Sequence, residues 1–318
     1  MKLDLIDRKI LFELDRNSRI SFVKLAKKLR ISKERLRYRF VALKEEGVIK
    51  YLIPIMNVAA AGYLTYELFF KLQNVNQEIK NKMLYELEKN KYIAWIGDLE
   101  GNFDIGIVVM VKSRIELTQF MEELNKNYSK FISRKSVSIN LKGDFLSRNY
   151  LINQERKLVK QSTYSPTTSL IQLDKIDIRI CFLLSTDSRT SALEIAKNLK
   201  ISVDTIIKRI KRLEQSIIVD YTIVLNNSKI NQTHYKLLLY SNNKLDEEKM
   251  VAFCKMNNRV VAIIKTLAEW DYEVDLEVET VEQLKKFTME LTKVYSTTIK
   301  DYDVLQVTNM SKYTFFPG

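Results

Sequence analysis

Glycine, proline, cysteine and histidine are all scarce: 7, 3, 2 and 1 residues in a chain of 318. So few glycines and prolines leave no room for long flexible linkers, and helices and strands are expected to fill most of the length. Two cysteines, Cys181 and Cys254, exclude a disulfide framework or a cysteine zinc cluster. Cys181, within "IRICFLL", reads as a small buried hydrophobe. With His234 as its one histidine, the chain nearly lacks the commonest acid–base residue, and His234 is read as a strand residue without a catalytic role. No apolar run approaches the ~18 residues of a membrane span. The N-terminus "MKLDLIDRKI" lacks the apolar core of a signal peptide. No P-loop, nucleotide-binding glycine motif or metal-ligand cluster is found. A cytoplasmic chain without catalytic residues, metal or cofactor is expected.

Hydrophobic residues make up 46%, as in a globular protein. The net charge is +13, which points to a polyanionic partner, most often nucleic acid. The excess is local. Residues 1–51 carry 15 basic and 7 acidic side chains, whereas residues 222–318 carry 12 and 13.

The chain repeats itself. Leu3–Tyr51 aligns without a gap on Leu173–Tyr221, with 18 of 49 positions identical. The likeness continues more weakly, "EGNFDIGIVVMV" against "AEWDYEVDLEV". This divides the chain into residues 1–51 and 52–152, a polar Pro166-containing linker at 153–170, then 171–221 and 222–318. Each copy opens with three short helices. Asp4, Ser21 and Ser32 are the expected caps in the first copy, and Ser191, with Glu194 as a capping box, and Ser202 in the second. Gly47 is the expected stop of the third helix. Each second part reads strand, helix, strand, strand, helix, strand, the order of a ferredoxin-like sandwich. The expected class is α+β: a tandem repeat of a three-helix, winged helix-turn-helix domain followed by a ferredoxin-like βαββαβ domain.

Two helices joined by a tight turn, the second one basic, form a helix-turn-helix pattern whose second helix enters the major groove. Leu36, Phe40 and Leu43 form its inward stripe, which leaves Lys33, Glu34, Arg37, Tyr38 and Val41 outward. Arginine can hydrogen-bond guanine twice, lysine neutralises phosphate, and tyrosine reaches phosphate or a thymine methyl. Arg35 and Arg39 flank the stripe. Lys27, Lys28 and Arg30 lie where the preceding helix crosses the DNA backbone. Arg19 and Arg39 recur as Arg189 and Arg209, and they serve either DNA or salt bridges to acids such as Asp7 and Asp177. In the second copy Val203 and Ile207, expected to be exposed, replace Lys33 and Arg37. That leaves Lys208, Lys211 and Arg212 for phosphate, so weaker binding is expected there.

The stretches "LDLIDRKILFEL", "NSRISFVKLAKKLRIS", "RYRFVALKEEGVIKY" and "GNFDIGIVV" resemble the Lrp/AsnC (leucine-responsive, feast/famine) transcription regulators. The resemblance covers nearly all of the first copy and, less closely, the second. It implies a DNA-binding regulator whose ferredoxin-like domain dimerises and, in many members, binds an amino acid or other small effector at subunit interfaces. It places the effector region at Gly101, Asn102, Phe103 and Asp104, which by themselves read as a hairpin turn. A tandem chain implies an intrachain pseudo-dimer with unequal heads and an asymmetric operator, or else a dimer of chains. Two readings compete: a siroheme-decarboxylase-like enzyme on the same domain pair, and a sensor or interaction protein without DNA binding.

Overall fold

The computed structural model describes residues 3–156, 162–242 and 247–317. The first copy forms α1 (Leu5–Arg16), α2 (Phe22–Leu29), α3 (Lys33–Glu45), β1 (Ile49–Met56), β2 (Leu64–Leu72), α4 (Gln77–Lys89), β3 (Ile93–Glu100), β4 (Ile105–Val111), α5 (Arg114–Tyr128), β5 (Ile132–Phe145) and β6 (Ser162–Tyr164). The second forms α6 (Lys175–Thr186), α7 (Ala192–Leu199), α8 (Val203–Glu214), β7 (Ile218–Leu225), β8 (Thr233–Ser241), α9 (Glu247–Met256), β9 (Val260–Leu267), β10 (Tyr272–Val278), α10 (Val281–Val294) and β11 (Ile299–Tyr313).

The caps explain where the helices begin. Side chains of Ser21, Ser32, Ser191 and Ser202 each accept the backbone N–H three residues on, satisfying an orphan donor of the first turn. The reciprocal capping box expected at Ser191/Glu194 forms only its serine half among the described residues. The two-way boxes stand at Asp4/Asp7 and Asp174/Asp177. Gly47, with φ +69°, follows the end of α3, a backbone shape that costs a side-chain-bearing residue dearly.

The two copies interlock. β1 pairs antiparallel with β7, so one ribbon joins both helical triads. Its backbone reaches across reciprocally: Ser18 N–H donates to Tyr221 O, and Ser188 N–H donates to Leu52 O. The core of the first triad takes in Ile223 and Leu225 of β7, and that of the second takes in Ile53 and Ile55 of β1.

The remaining strands make two ferredoxin-like sheets, β3-β4-β2-β5 and β9-β10-β8-β11. They are joined at both edges, β3 to β11 and β5 to β9. The long strands make both joins possible. Residues 132–139 of β5 pair with β2 and residues 139–145 with β9, while β11 divides likewise between β8 and β3. Eight strands thus close into a ring with no free edge along the joins, and β6 extends β5. The expected plain linker therefore includes a strand. Helices α4 and α5 cover the outside of one sheet and α9 and α10 the outside of the other, each over its own apolar cluster. The inner faces meet each other and the ribbon.

Candidate nucleic-acid interface

α3 presents its polar side as expected. Leu36, Phe40 and Leu43 are buried, while Lys33, Glu34, Arg35, Arg37, Tyr38 and Val41 are exposed. Tyr38 is 77% exposed, unusual for a large aromatic in a free-standing surface. Among the described residues, Lys33, Arg35 and Arg37 have no ion-pair partner to hold them to the protein. Lys27 and Arg30 are also exposed, and Arg30 takes the left-handed turn conformation (φ 56°) that ends α2 and aims α3.

Several arginines expected at DNA are held elsewhere. Arg39 pairs with Asp4 and Asp7 at 2.8 and 2.7 Å, and Arg209 with Asp174 and Asp177 at 2.7 and 2.9 Å. Both tie helix three to the start of helix one. Hydrogen bonds from Asp7 N–H and then from Arg39 lower the Asp4 carboxyl, and the matching contacts bring Asp174 to about 2. Arg212 also reaches Asp177, and Lys28 reaches Glu13. Arg19 and Arg189 each reach across to the other copy. Arg19 donates to the carbonyls of Ser188 and Thr190, and Arg189 to those of Ser18 and Ile20 at 2.6 and 2.9 Å. The Ser18 and Ser188 hydroxyls meet between them at 2.6 Å. The recurrent Ser-Arg pair was the signal in the sequence, but its partners lie in the other copy. Arg189 also stacks over Phe22, 4.4 Å from the ring centroid. We expect Arg189→Ala to cost about 1–3 kcal/mol, as a lower urea midpoint, because two partly buried carbonyls lose a charged donor. An unchanged midpoint would show that this stitch contributes nothing.

The second head differs chemically. Lys208, Lys211 and Ile207 are exposed, but Val203, expected to be exposed, is half-buried against the apolar core. The tetrad Gly101, Asn102, Phe103 and Asp104 forms the turn between β3 and β4. Asp104 accepts from Leu72 N–H at 2.7 Å and pairs with Lys71, Asn102 bonds Asp303, and Phe103 is buried against Phe69. These contacts are structural ones.

Sequence reasoning missed a charged network inside the ring. Arg148, after β5, pairs with Asp15 of α1 at 2.6 Å and with Glu277 of β10 at 2.8 Å. Tyr150 also donates to Glu277. Lys236 lies 2.7 Å from Glu273, 3.3 Å from Asp275 and 3.5 Å from Glu67. His234 Nε2 is 2.8 Å from Asp275. Burial pushes the Glu67 and Asp15 carboxyls up. It acts on Glu277 and Asp275 too, but Arg148 and Lys236 respectively overcome it and hold both below the ordinary range. Beside this network lies a cavity of about 140 Å³, walled by ribbon residues Ile53, Ile55 and Val224 and by Trp95. Gly97 and Gly106, paired across β3 and β4, give the Trp95 ring its room, since a Cβ at Gly97 would lie 2.3 Å from it. Burial, joined at Cys181 by the Asp177 charge, pushes the Cys181 and Cys254 thiols up to about 12, as inert core residues.

Comparison with known proteins gives the following. Residues 3–50 match a family model described as a winged helix-turn-helix DNA-binding domain, and residues 173–214 match one described as an AsnC-type helix-turn-helix domain. An uncharacterized HTH-type transcriptional regulator of Pyrococcus furiosus is 30% identical over 129 residues, 39% of this chain and 82% of the relative. Another, of Pyrococcus abyssi, is 33% identical over 125 residues, 38% of this chain and 80% of the relative. About two fifths of the chain thus accommodates most of one relative. The crystal structure of the siroheme decarboxylase NirDL shares the fold over 99% of this chain and 94% of its own, at TM-score 0.59 and 14% identity.

Proposed function

Because the chain belongs to the Lrp/AsnC family of DNA-binding, helix-turn-helix transcriptional regulators, we propose that it binds DNA as an intrachain pseudo-dimer whose two heads are unequal. The observation that carries this is the α3 face, where Lys33, Arg35, Arg37 and Tyr38 stand exposed with no ion-pair partner among the described residues. The first head reads base edges with Arg37 and Tyr38 and grips phosphate with Lys33, Arg35, Lys27 and Arg30. The second grips phosphate through Lys208 and Lys211. Arg19, Arg189, Arg39 and Arg209 hold the heads in shape. The operator is accordingly asymmetric, with one half-site specified by base contacts and the other by spacing. The chain works in the cytoplasm, with its DNA.

The decarboxylase reading has less behind it. A shared fold transfers no chemistry, His234 is buried on Asp275, and the interior is rich in carboxylates that would repel a polycarboxylate tetrapyrrole. Alanine at both Lys208 and Lys211 tests the division of labour. Binding should weaken evenly across operator variants, and the salt slope should fall by about 2, one per phosphate contact. A change in base preference would overturn the assignment.

A further inference from the structure

Three side-chain atoms by the interior cavity are buried without a hydrogen-bond partner: Ser138 Oγ, Asn140 Oδ1 and His234 Nδ1. Ser138 is 0% exposed and His234 9%. Asn140 and His234 line the cavity, and Ser138 stands opposite Glu67 in the β2–β5 register, on the same inner face. Buried polar atoms without partners are rare enough to require a reason.

The charges around them do not balance. Asp15, Glu67, Glu273, Asp275 and Glu277 are buried, against the cations Arg148 and Lys236. Three of the five acids come from one strand of the second copy, β10. Counting on from the aligned Asp104 and Asp271, the first copy has Gly106, Val108 and Met110 where the second has Glu273, Asp275 and Glu277. Most of the acids are satisfied at close range, Glu277 by Arg148 and Tyr150 and Glu273 by Lys236. Glu67 is held less closely by opposite charge. Its carboxyl hydrogen-bonds that of Glu273, and Lys236 and the Asn140 amide lie 3.5 and 3.4 Å away. Across the strand from it lie Val108 and Ser138, and Trp95 and Met110 complete an apolar wall. A cavity of about 140 Å³ is close to one known to hold a benzene ring.

We propose that this cavity binds a small organic cation, a primary ammonium on an apolar body no larger than a benzene ring, with the ammonium on Glu67, Ser138 and Asn140 and the body against Trp95, Val108 and Met110. The ligand enters through a polar cleft lined by Lys50, Asn227, Gln232 and Asn309, which shares His234 and Met310 with the cavity lining. Burial, reinforced by Glu273, favours the protonated Glu67 in the empty protein. An arriving ammonium ionises it, so the carboxyl proton leaves to solvent as the cation binds. The occupant touches the β1/β7 ribbon, so it would alter the spacing of the heads. That consequence rests on the regulator reading, whereas the binding itself does not and is measured without DNA.

The test is calorimetry on the full chain at pH 7 with alkylammonium ions from methyl- to butylammonium and with benzylammonium, beside benzyl alcohol and benzoate. An ammonium should bind at least about tenfold more tightly than its neutral and anionic counterparts, as a charge-assisted buried contact requires. The observed enthalpy should shift between phosphate and Tris buffers as the proton is released. Glu67→Gln should abolish the preference for ammonium while the protein still melts cooperatively. Equal binding of charged and neutral probes, no binding by any ammonium at millimolar concentration, or a preference kept in the variant would each overturn the proposal. Should the variant not fold, the ranking of probes on the unaltered chain decides.

Discussion

Replacing Lys33 and Arg37 together by alanine is expected to weaken binding to the protein's own upstream DNA by about 30- to 1000-fold, the loss of one base-reading arginine and one phosphate contact at roughly 1–3 kcal/mol for the former. Both side chains are exposed and hold nothing in the folded protein, so the melting temperature should not move. Fluorescence anisotropy over a salt series separates the two parts. The lysine contributes about one unit to the salt slope, and the arginine contributes preference for operator over random DNA. The second copy offers an internal comparison, because Val203 and Ile207 already stand at these positions. If the double variant bound as tightly as the parent, α3 of the first head would not be the reading helix, and the regulator mechanism proposed here would fall.

Arg148→Met should produce the largest loss of stability, about 3–5 kcal/mol, because it strands two buried carboxylates rather than removing a neutral contact. Asp15 and Glu277 are 6% and 1% exposed. The one guanidinium joins α1 of the first head to β10 of the ring, so the loss should loosen the head as well as the core. The second copy carries no such clamp: Ser185 replaces Asp15, and Phe315 and Phe316 pack in the core there. The pH dependence has a definite sign. With Arg148 present, Glu277 lies below its ordinary value, so its contribution holds above the ordinary carboxylate range and is lost as pH falls through the lowered value. Without the arginine, Glu277 rises above its unfolded value and Asp15, already raised by burial, rises further; the folded state then binds more protons, and stability is gained on acidification. The deficit of the variant should therefore shrink from pH 7 to pH 5 in urea melts. A deficit constant with pH would mean that lost packing, not buried charge, is the cause.

Much of the helical part was legible in the sequence because its causes are local. Ser32 caps α3 through the residue three positions on, and Leu36, Phe40 and Leu43 recur at the period of a helix. Arg39 and Asp7 were legible as a candidate pair because they recur as Arg209 and Asp177. Arg19 was not readable in the same way, since its acceptors are backbone carbonyls in the other copy, and a carbonyl leaves no mark in a sequence.

The interior site shows the boundary most sharply. Strand alternation by itself places Glu273, Asp275 and Glu277 on one face of β10 and Val274 and Leu276 on the other. It does not say which face is inside. A single sheet would turn its acids to water, but here α9 and α10 cover the apolar face, and closure of the two copies into one ring encloses the other. Sequence alone thus determined the repeat, which is a comparison of residue identities, and the helical heads and exposed basic face of α3, whose caps and apolar stripe depend on residues a few positions apart. The cross-copy arginine stitch, the Arg148 clamp and the charged cavity were decided only by tertiary structure, because each needs residues more than a hundred positions apart to meet where water is excluded.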